Sequence, residues 1–472
     1  MHWLKRTAKV LLALLGAVVA VLLVVAGINQ FDEDLNPAVK PMLELPAARL
    51  APEQNGYFLL LGFNAAADKD PHAVGMEIDK RVRAHYSNSG SFLTGPRIDA
   101  SVAGQAPPLP KDIRSFCDPG RQACLDAYRE ATKLADLEKQ VALYLKRYAR
   151  LIAYPDYEDR PLFTFNDLFP VYGEVAFTSR LAVAGAARMI AAGQHREGAE
   201  RIANDLRFWR RAQAGSNHLL GKMLAANRIS ADLKLLNELI ARYPVFASQQ
   251  AARLAEMTQP FSPAEIEYCT VLRHEQAAAM RQLNALGQAP WNTREELRDF
   301  AKLIGSLKVD NLAMVAPVGY LPNATLNLLF ELNTAQAPVC SAAPGALAQA
   351  EQEAKTRLAA VMQNRTGRLA LLYNPTGKAI IDAVYPEFED YHFRLHDLDG
   401  YLRATALHAR IRATGAKGNA IPVLIAQAGA AYHDPYTGKP IVWNAEARTL
   451  SVSQNDTTNN KTAGMAVVVV GK

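Results

Sequence analysis

The sequence predicts a mainly α-helical protein with an N-terminal transmembrane helix, a periplasmic body of antiparallel helical hairpins and a small C-terminal antiparallel β-sheet. Three observations predict it. Val10–Ile28, VLLALLGAVVAVLLVVAGI, contains no charged residue. Through most of the following chain, apolar side chains recur at spacings of three and four, the period of helices with one buried face. After Pro440 the pattern changes to short segments rich in β-branched residues.

As a helix, Val10–Ile28 is long enough to cross a hydrocarbon core of roughly 30 Å. Lys5, Arg6 and Lys9 precede it, and Asp32, Glu33 and Asp34 follow. The positive-inside tendency keeps the N-terminus in the cytoplasm and sends the rest across. Val24-Val25-Ala26 before Gly27 also suits a signal-peptide cleavage site, but the apolar run exceeds the roughly 7–15 residues of a signal core. The expected location is the inner membrane of a Gram-negative bacterium, single-pass, with the body in the periplasm.

Half the residues are hydrophobic and the formal net charge is +6. Three basic residues precede the anchor, which leaves 49 basic against 46 acidic residues in the exported part. That balance, with no long basic run, gives a nucleic-acid role no electrostatic support. There are four cysteines, Cys117, Cys124, Cys269 and Cys340. An even count in an exported chain permits disulfides. In CDPGRQAC the Asp118-Pro119-Gly120 turn can bring Cys117 and Cys124 together, and that bridge is expected. Cys269 lies in a helical pattern and reads as a buried small residue.

The chain divides into an anchor at 1–30, a Pro-rich linker at 31–55, a helical domain at 56–340, and a long helix with a C-terminal hairpin or meander at 345–472. Gly56–Phe63 is apolar and reads equally as strand or helix. Asp70-Pro71 is an N-cap with proline at the first helical position, followed by Val74, Ile78 and Val82 on one face. The clearest helix runs from about Cys124 to Ile152, with Leu134, Leu137, Val141, Tyr144, Tyr148 and Leu151 as its stripe. Phe177–Ala192, Arg196–Ala214 and His218–Tyr243 follow. Ser262-Pro263-Ala264-Glu265 is a capping box opening a helix to about Leu286, and Thr293–Glu296 repeats the signature. Ala324–Leu332, Ala346–Gln363 and Lys378–Val384 are shorter candidates. Glu387 to about Ala413 is long, with Tyr391, Leu395, Leu398 and Leu402 buried. Ile441–Asn444, Thr449–Ser453 and Met465–Val470 read as strands packed on it. The last, apolar on both faces, is expected between helices and neighbouring strands.

Candidate chemistry is sparse. His392 and His396 lie one helical turn apart with Asp399 near the same face, a spacing that can share a metal. Phe393, however, stands where a metalloprotease helix needs glutamate. A polar helix flank is the expected reading, with no metal or other cofactor. His274-Glu275 lacks the second histidine of a zincin, and helix capping accounts for Asp70 in the Asp68-Lys69-Asp70-Pro71-His72 cluster. No G-x-S-x-G, P-loop or G-x-G-x-x-G occurs.

Three stretches carry resemblances. The turn around Gly193 with Ala199 resembles a tetratricopeptide-type helical hairpin, without a second copy at fixed period. The Cys117–Cys124 pair followed by Arg147, Tyr148 and Leu151 is similar to a segment of uncharacterised proteobacterial membrane-anchored proteins, which implies no particular activity. The ending resembles the pseudopilin order of helix, Gly/Pro turn, then Asp-Pro-x-x-Gly before a hairpin, with Asp434, Pro435 and Gly438 in those places. It implies a tight turn starting the hairpin. The expected function is a non-enzymatic scaffold or interaction module with an envelope protein partner. The alternatives are a periplasmic hydrolase with a dispersed site, metal-assisted around His392 and His396 in one form of that reading, and an accessory component of a secretion or pilus system.

Overall fold

The computed structural model describes residues 16, 20–21, 23–44, 47, 49–89, 95–110, 116–288, 319–365, 372–384, 391–455 and 465–470. Most of residues 10–22 and all of Thr293–Glu296 therefore lie outside the described residues, as does the start of the expected Glu387 helix. Residues 23–28 are helical. No helix among the described residues is long and apolar enough to cross a membrane.

The fold is mainly helical with one small antiparallel sheet. Gly56–Phe63 resolves as the helix Gly56–Leu61. Asn55 caps it, its Oδ1 accepting from the Tyr57 amide at 3.0 Å. It crosses Pro71–Ser89, which Asp70 caps as the sequence indicates, its Oδ1 accepting from the Ala73 amide at 2.9 Å. A Cβ at Gly75 would run into the Phe58 carbonyl, so only glycine lets these two backbones touch.

The expected Cys124–Ile152 helix is three pieces: Leu125–Tyr128, Ala131–Gln140 and Ala142–Ile152. Glu130 (ψ 80°) and Val141 (φ −112°) leave the helical region between them. The stripe nevertheless stays buried from Leu134 through Val141 to Leu151, because tertiary packing and not helix continuity holds it. The capping box at Ser262 forms, but its helix is only Pro263–Ile266, and a separate helix, Cys269–Gln288, follows. Glu267 (ψ 122°) takes the extended backbone that separates them.

Tyr172–Ala191, His195–Ala214 and Leu219–Arg242 pack side by side as the centre of the body. Gly193, at φ +85°, makes the turn between the first two. The long helix Tyr391–Thr414 runs against Leu219–Arg242. Its Leu395, Leu398, Leu402 and Ala409 join one apolar cluster with residues from Tyr57 to Leu272. A second cluster gathers Val39, Met280, Leu283, Leu326, Leu329 and Ile380. A third joins Leu407 and Ile411 to the sheet.

The strands β1 (Val442–Asn444), β2 (Thr449–Ser453) and β3 (Met465–Val469) form an antiparallel sheet in that order. Leu450 faces Trp443 on one side and Val468 on the other. Among the described residues the apolar last strand pairs only with β2, and it is covered on one face, not on both. Val468 and Val470 point into the core, and Val469 is 61% exposed. The sheet packs on Tyr391–Thr414 as expected.

Cys117 and Cys124 are bonded, with Cα atoms 5.7 Å apart. Cys269 is also bonded, to Cys340, with Cα atoms 5.6 Å apart, so it is not the buried free residue its helical setting suggests. It stands half-buried at the first position of its helix, where an exposed cysteine of the next helical layer reaches it.

Candidate functional site

Of the three residues proposed as a metal set, His392 and His396 keep the one-turn spacing within Tyr391–Thr414. His392 lies against Phe393 and Tyr268. His396 faces the ring of Tyr436 at 6.2 Å. Asp399 is engaged elsewhere: Oδ1 accepts from the Phe261 amide at 3.0 Å, and Oδ2 accepts from Arg403 at 2.5 Å. Among the described residues, no group of three His, Cys, Asp or Glu is placed to hold a metal ion. The cavity beside His392 measures about 30 Å³, the scale of one water molecule and not of an organic ligand.

Asp434 organises the turn that the sequence singles out. Its Oδ1 accepts from the amides of Tyr436 and Thr437, both at 3.0 Å, and its Oδ2 from Ser453 of β2 at 2.7 Å. These backbone donors hold its carboxyl below the usual carboxylate range against the opposing effect of burial. Gly438 takes φ +62°, and Pro435 packs against Gly400 of the long helix. The site is therefore a joint between turn and sheet. Other motif residues are structural too. Arg147 is buried and donates to the carbonyls of Phe63 at 2.7 Å and Ala66 at 2.8 Å. His72 stacks on Tyr154, and Glu275 accepts from the Leu219 amide at 2.7 Å.

A buried group of ionisable residues is one that the sequence does not announce. Asp159, His218 and Lys222 each expose 1% or less of their surface. His218 caps Leu219–Arg242, its Nδ1 accepting from the Gly221 amide at 3.0 Å. In the neutral ring the proton is then on Nε2, 3.0 Å from the Tyr172 hydroxyl and 3.2 Å from Asp159 Oδ2. Burial pushes the Asp159 carboxyl well up and the His218 imidazole down to about 3. Asp159 Oδ1 also accepts from the Asn217 amide. Lys222 donates to the Gln213 carbonyl at 2.8 Å, and burial lowers it to about 8.

Two further clusters adjoin it. Arg160 joins Asp79 at 2.7 Å and Asp167 at 2.6 Å, with its guanidinium over the Phe163 ring. Tyr148 donates to Asp205 at 2.5 Å, and Trp209 donates to the Tyr148 oxygen at 3.0 Å. Burial pushes up the carboxyls of Asp205 and its neighbour Asp232, and the Asp205 charge raises Asp232 further. A Tyr–His–Asp array resembles acid–base machinery, but catalysis needs a group that substrate can reach. These are sealed and join distant segments: Asp159 fastens the Pro-rich loop that holds Pro155, Pro161 and Pro170 to the start of the helix Leu219–Arg242, and Arg160 ties the same loop back to Asp79 in Pro71–Ser89. Nothing in the local spacing marks them.

Open surface lies elsewhere. A groove of about 840 Å³ runs between His195–Ala214 and the segment after Phe246, lined by Arg196, Glu200, Arg201, Gln250, Arg253 and Glu256. A second, of about 350 Å³, shares Glu256 and reaches Arg210 and Glu265. Arg253 pairs with Glu200 at 2.6 Å and with Glu256 at 2.5 Å, and Arg210 pairs with Glu265 at 2.5 Å. Charges of both signs alternate along it.

His408 supplies a direct pH test of the core. It is fully buried between Tyr391–Thr414 and Leu219–Arg242, and its Nδ1 lies 2.7 Å from Asn237 Oδ1. Burial first, then the Arg412 charge, depress its pKa from 6.5 to about 3. The unfolded chain therefore takes up the proton first, and stability present above pH 6.5 is lost as pH falls below it. Between pH 7 and pH 5 this one group removes about 2 kcal/mol. Urea unfolding at the two pH values should show that difference shrinking by about as much in His408→Gln.

Compared with protein-family models, with curated proteins and with solved structures, the chain shows no match.

Proposed function

We propose that the chain is a single-pass protein of the bacterial inner membrane, N-terminus in the cytoplasm, whose helical periplasmic body is a scaffold for an envelope protein partner. The observation that carries this reading is the pairing of all four cysteines in two disulfides, which belong to an oxidising compartment. The apolar, charge-free Val10–Ile28 and the basic residues before it supply the anchor and its direction. The mixed-charge groove along His195–Ala214 is the contact surface of this scaffold. A hydrolase has less support, because the strongly perturbed Asp159 and His218 are closed to substrate.

Purification of the full-length protein in mild detergent, with mass spectrometry and metal analysis, tests the reading. The expected result is a stoichiometric protein partner that the charge reversal Arg253→Glu releases, with both disulfides intact by thiol trapping. A solitary protein carrying near-stoichiometric zinc, lost in His392→Ala, supports the hydrolase instead. Co-purification with pilus or secretion machinery supports the accessory role that the Asp434-Pro435 ending suggests.

A further inference from the structure

Resting on the anchored reading above, we infer that the body is clamped to the end of its anchor and held in one orientation against the lipid surface, not carried on a flexible stalk. The clamp begins where the apolar helix ends. Asn29 closes that helix, donating from Nδ2 to the Val25 carbonyl at 2.7 Å. The same side chain bonds the body twice: Nδ2 donates to the Leu372 carbonyl, and Oδ1 accepts from the Asn374 amide, both at 2.7 Å. Asn374 is a buried hub in the left-handed region, φ 50°. Its own side chain accepts from the Leu321 amide at 3.0 Å and donates to Thr325 Oγ1 at 2.9 Å.

Asp32 continues the clamp. Its carboxylate accepts from the amides of Asn323 at 2.8 Å and Ala324 at 2.9 Å, the open first turn of the helix Pro322–Ala335. It thus caps a helix 291 residues away, with its charge at the favourable end of the dipole. Asn323 and Asn327 donate to the carbonyls of Glu33 at 2.8 Å and Asp34 at 3.0 Å. Asn327 in turn accepts from the Asn36 amide at 2.9 Å. Val39, fully buried, and Arg281, which donates to the carbonyls of Met42 and Glu44, complete the attachment. A stalk would leave these amides to water; here at least four side chains and a helix end are committed to them.

The geometry also selects the face that meets lipid. Phe31 is 78% exposed, three residues past the apolar segment, and its carbonyl accepts from the Tyr373 hydroxyl at 3.4 Å. An exposed aromatic at this depth belongs in the headgroup layer, where apolar rings gain burial beside polar partners. The carboxylates of Asp32 and Glu33 are hydrogen-bonded to the body, and Asp34 is held to it through its main-chain carbonyl.

The test uses full-length protein in phosphatidylethanolamine–phosphatidylglycerol vesicles. Hydrogen exchange by mass spectrometry should show the amides of Asn36, Asn323, Ala324 and Asn374 exchanging at least about 100-fold more slowly than in the unfolded chain. Asp32→Ala should abolish that protection at Asn323 and Ala324, and Asn29→Ala, which also removes the bond to the Val25 carbonyl, at Asn374. A fluorescent amino acid at position 31 should be quenched by brominated lipid in the wild-type background and lose that quenching in the Asp32→Ala, Asn29→Ala double variant. Protein that survives an alkaline carbonate wash in the membrane, yet exchanges freely over residues 29–36 or is not quenched, overturns the clamp and leaves the anchor standing. Protein that the carbonate wash extracts overturns the anchor itself, and the clamp's orientation with it.

Discussion

Arg160→Leu is expected to destabilise the body by about 3–5 kcal/mol, read as a fall in the urea midpoint at unchanged slope. The guanidinium, with its side chain 3% exposed, meets two carboxylates whose side chains expose 8% and 0%. Replacing it with a shorter apolar side chain leaves Asp79 to Arg83 alone, at 2.7 Å, and Asp167 to the amides of Phe163 and Leu168. The cost is mainly that of a buried, uncompensated negative charge, not of the lost pair itself. A triple variant that adds Asp79→Asn and Asp167→Asn should therefore recover a good part of the loss. Arg150→Ala is the control. Its ion pair with Asp70 is nearly half exposed, and solvent screening should keep its effect below about 1 kcal/mol. Equal effects at Arg160 and Arg150 would show that the buried cluster is not what holds the Pro-rich loop.

Removing the Cys269–Cys340 bridge, by Cys269→Ala with Cys340→Ala, should cost about 4 kcal/mol, against about 2 kcal/mol for the Cys117–Cys124 bridge. The difference follows from the lengths closed, 71 residues against 7, because the longer tie removes more freedom from the unfolded chain. The comparison is best made by chemical denaturation of oxidised wild type and of each pair variant. The longer bridge also joins Cys269–Gln288 to the short helix Ala337–Ser341, so its loss should show first as faster hydrogen exchange in that second cluster. If the two bridges contribute alike, loop entropy does not govern either.

What was legible in the sequence was what nearest neighbours determine. Asp70 and Ser262 cap helices where their spacing indicates, Asp434 makes its turn, and Cys117 meets Cys124 across a Pro-Gly corner. Period-3.6 stripes located most of the helices, because the stripe is the face that packs. It did not locate the breaks at Glu130 and Val141, since a stripe stays on one face across a short irregular step. The misplacement of β3 has a similar origin. An apolar strand reads as covered on both faces, but this sheet packs on a helix with one face only, and Val469 stands on the other. The partners of Cys269 and of the sealed ionisable groups were illegible for a different reason. Asp159 needs His218, and Asp32 needs the helix at Pro322, contacts that depend on how whole layers stack.

The long helix Tyr391–Thr414 has a consequence for how the chain is made. Its Leu395, Leu398, Leu402 and Ala409 complete an apolar cluster whose other members end at Leu272. Synthesis runs from the N-terminus at roughly 5–20 residues per second, so the earlier part waits about ten seconds for its last wall. During that interval the faces of Leu219–Arg242 that receive the helix are open, and the Asn374 contact to Asn29 cannot yet form. The nascent protein is thus a sticky, half-roofed intermediate, and factors that shield such surfaces should affect its yield far more than they affect the finished molecule.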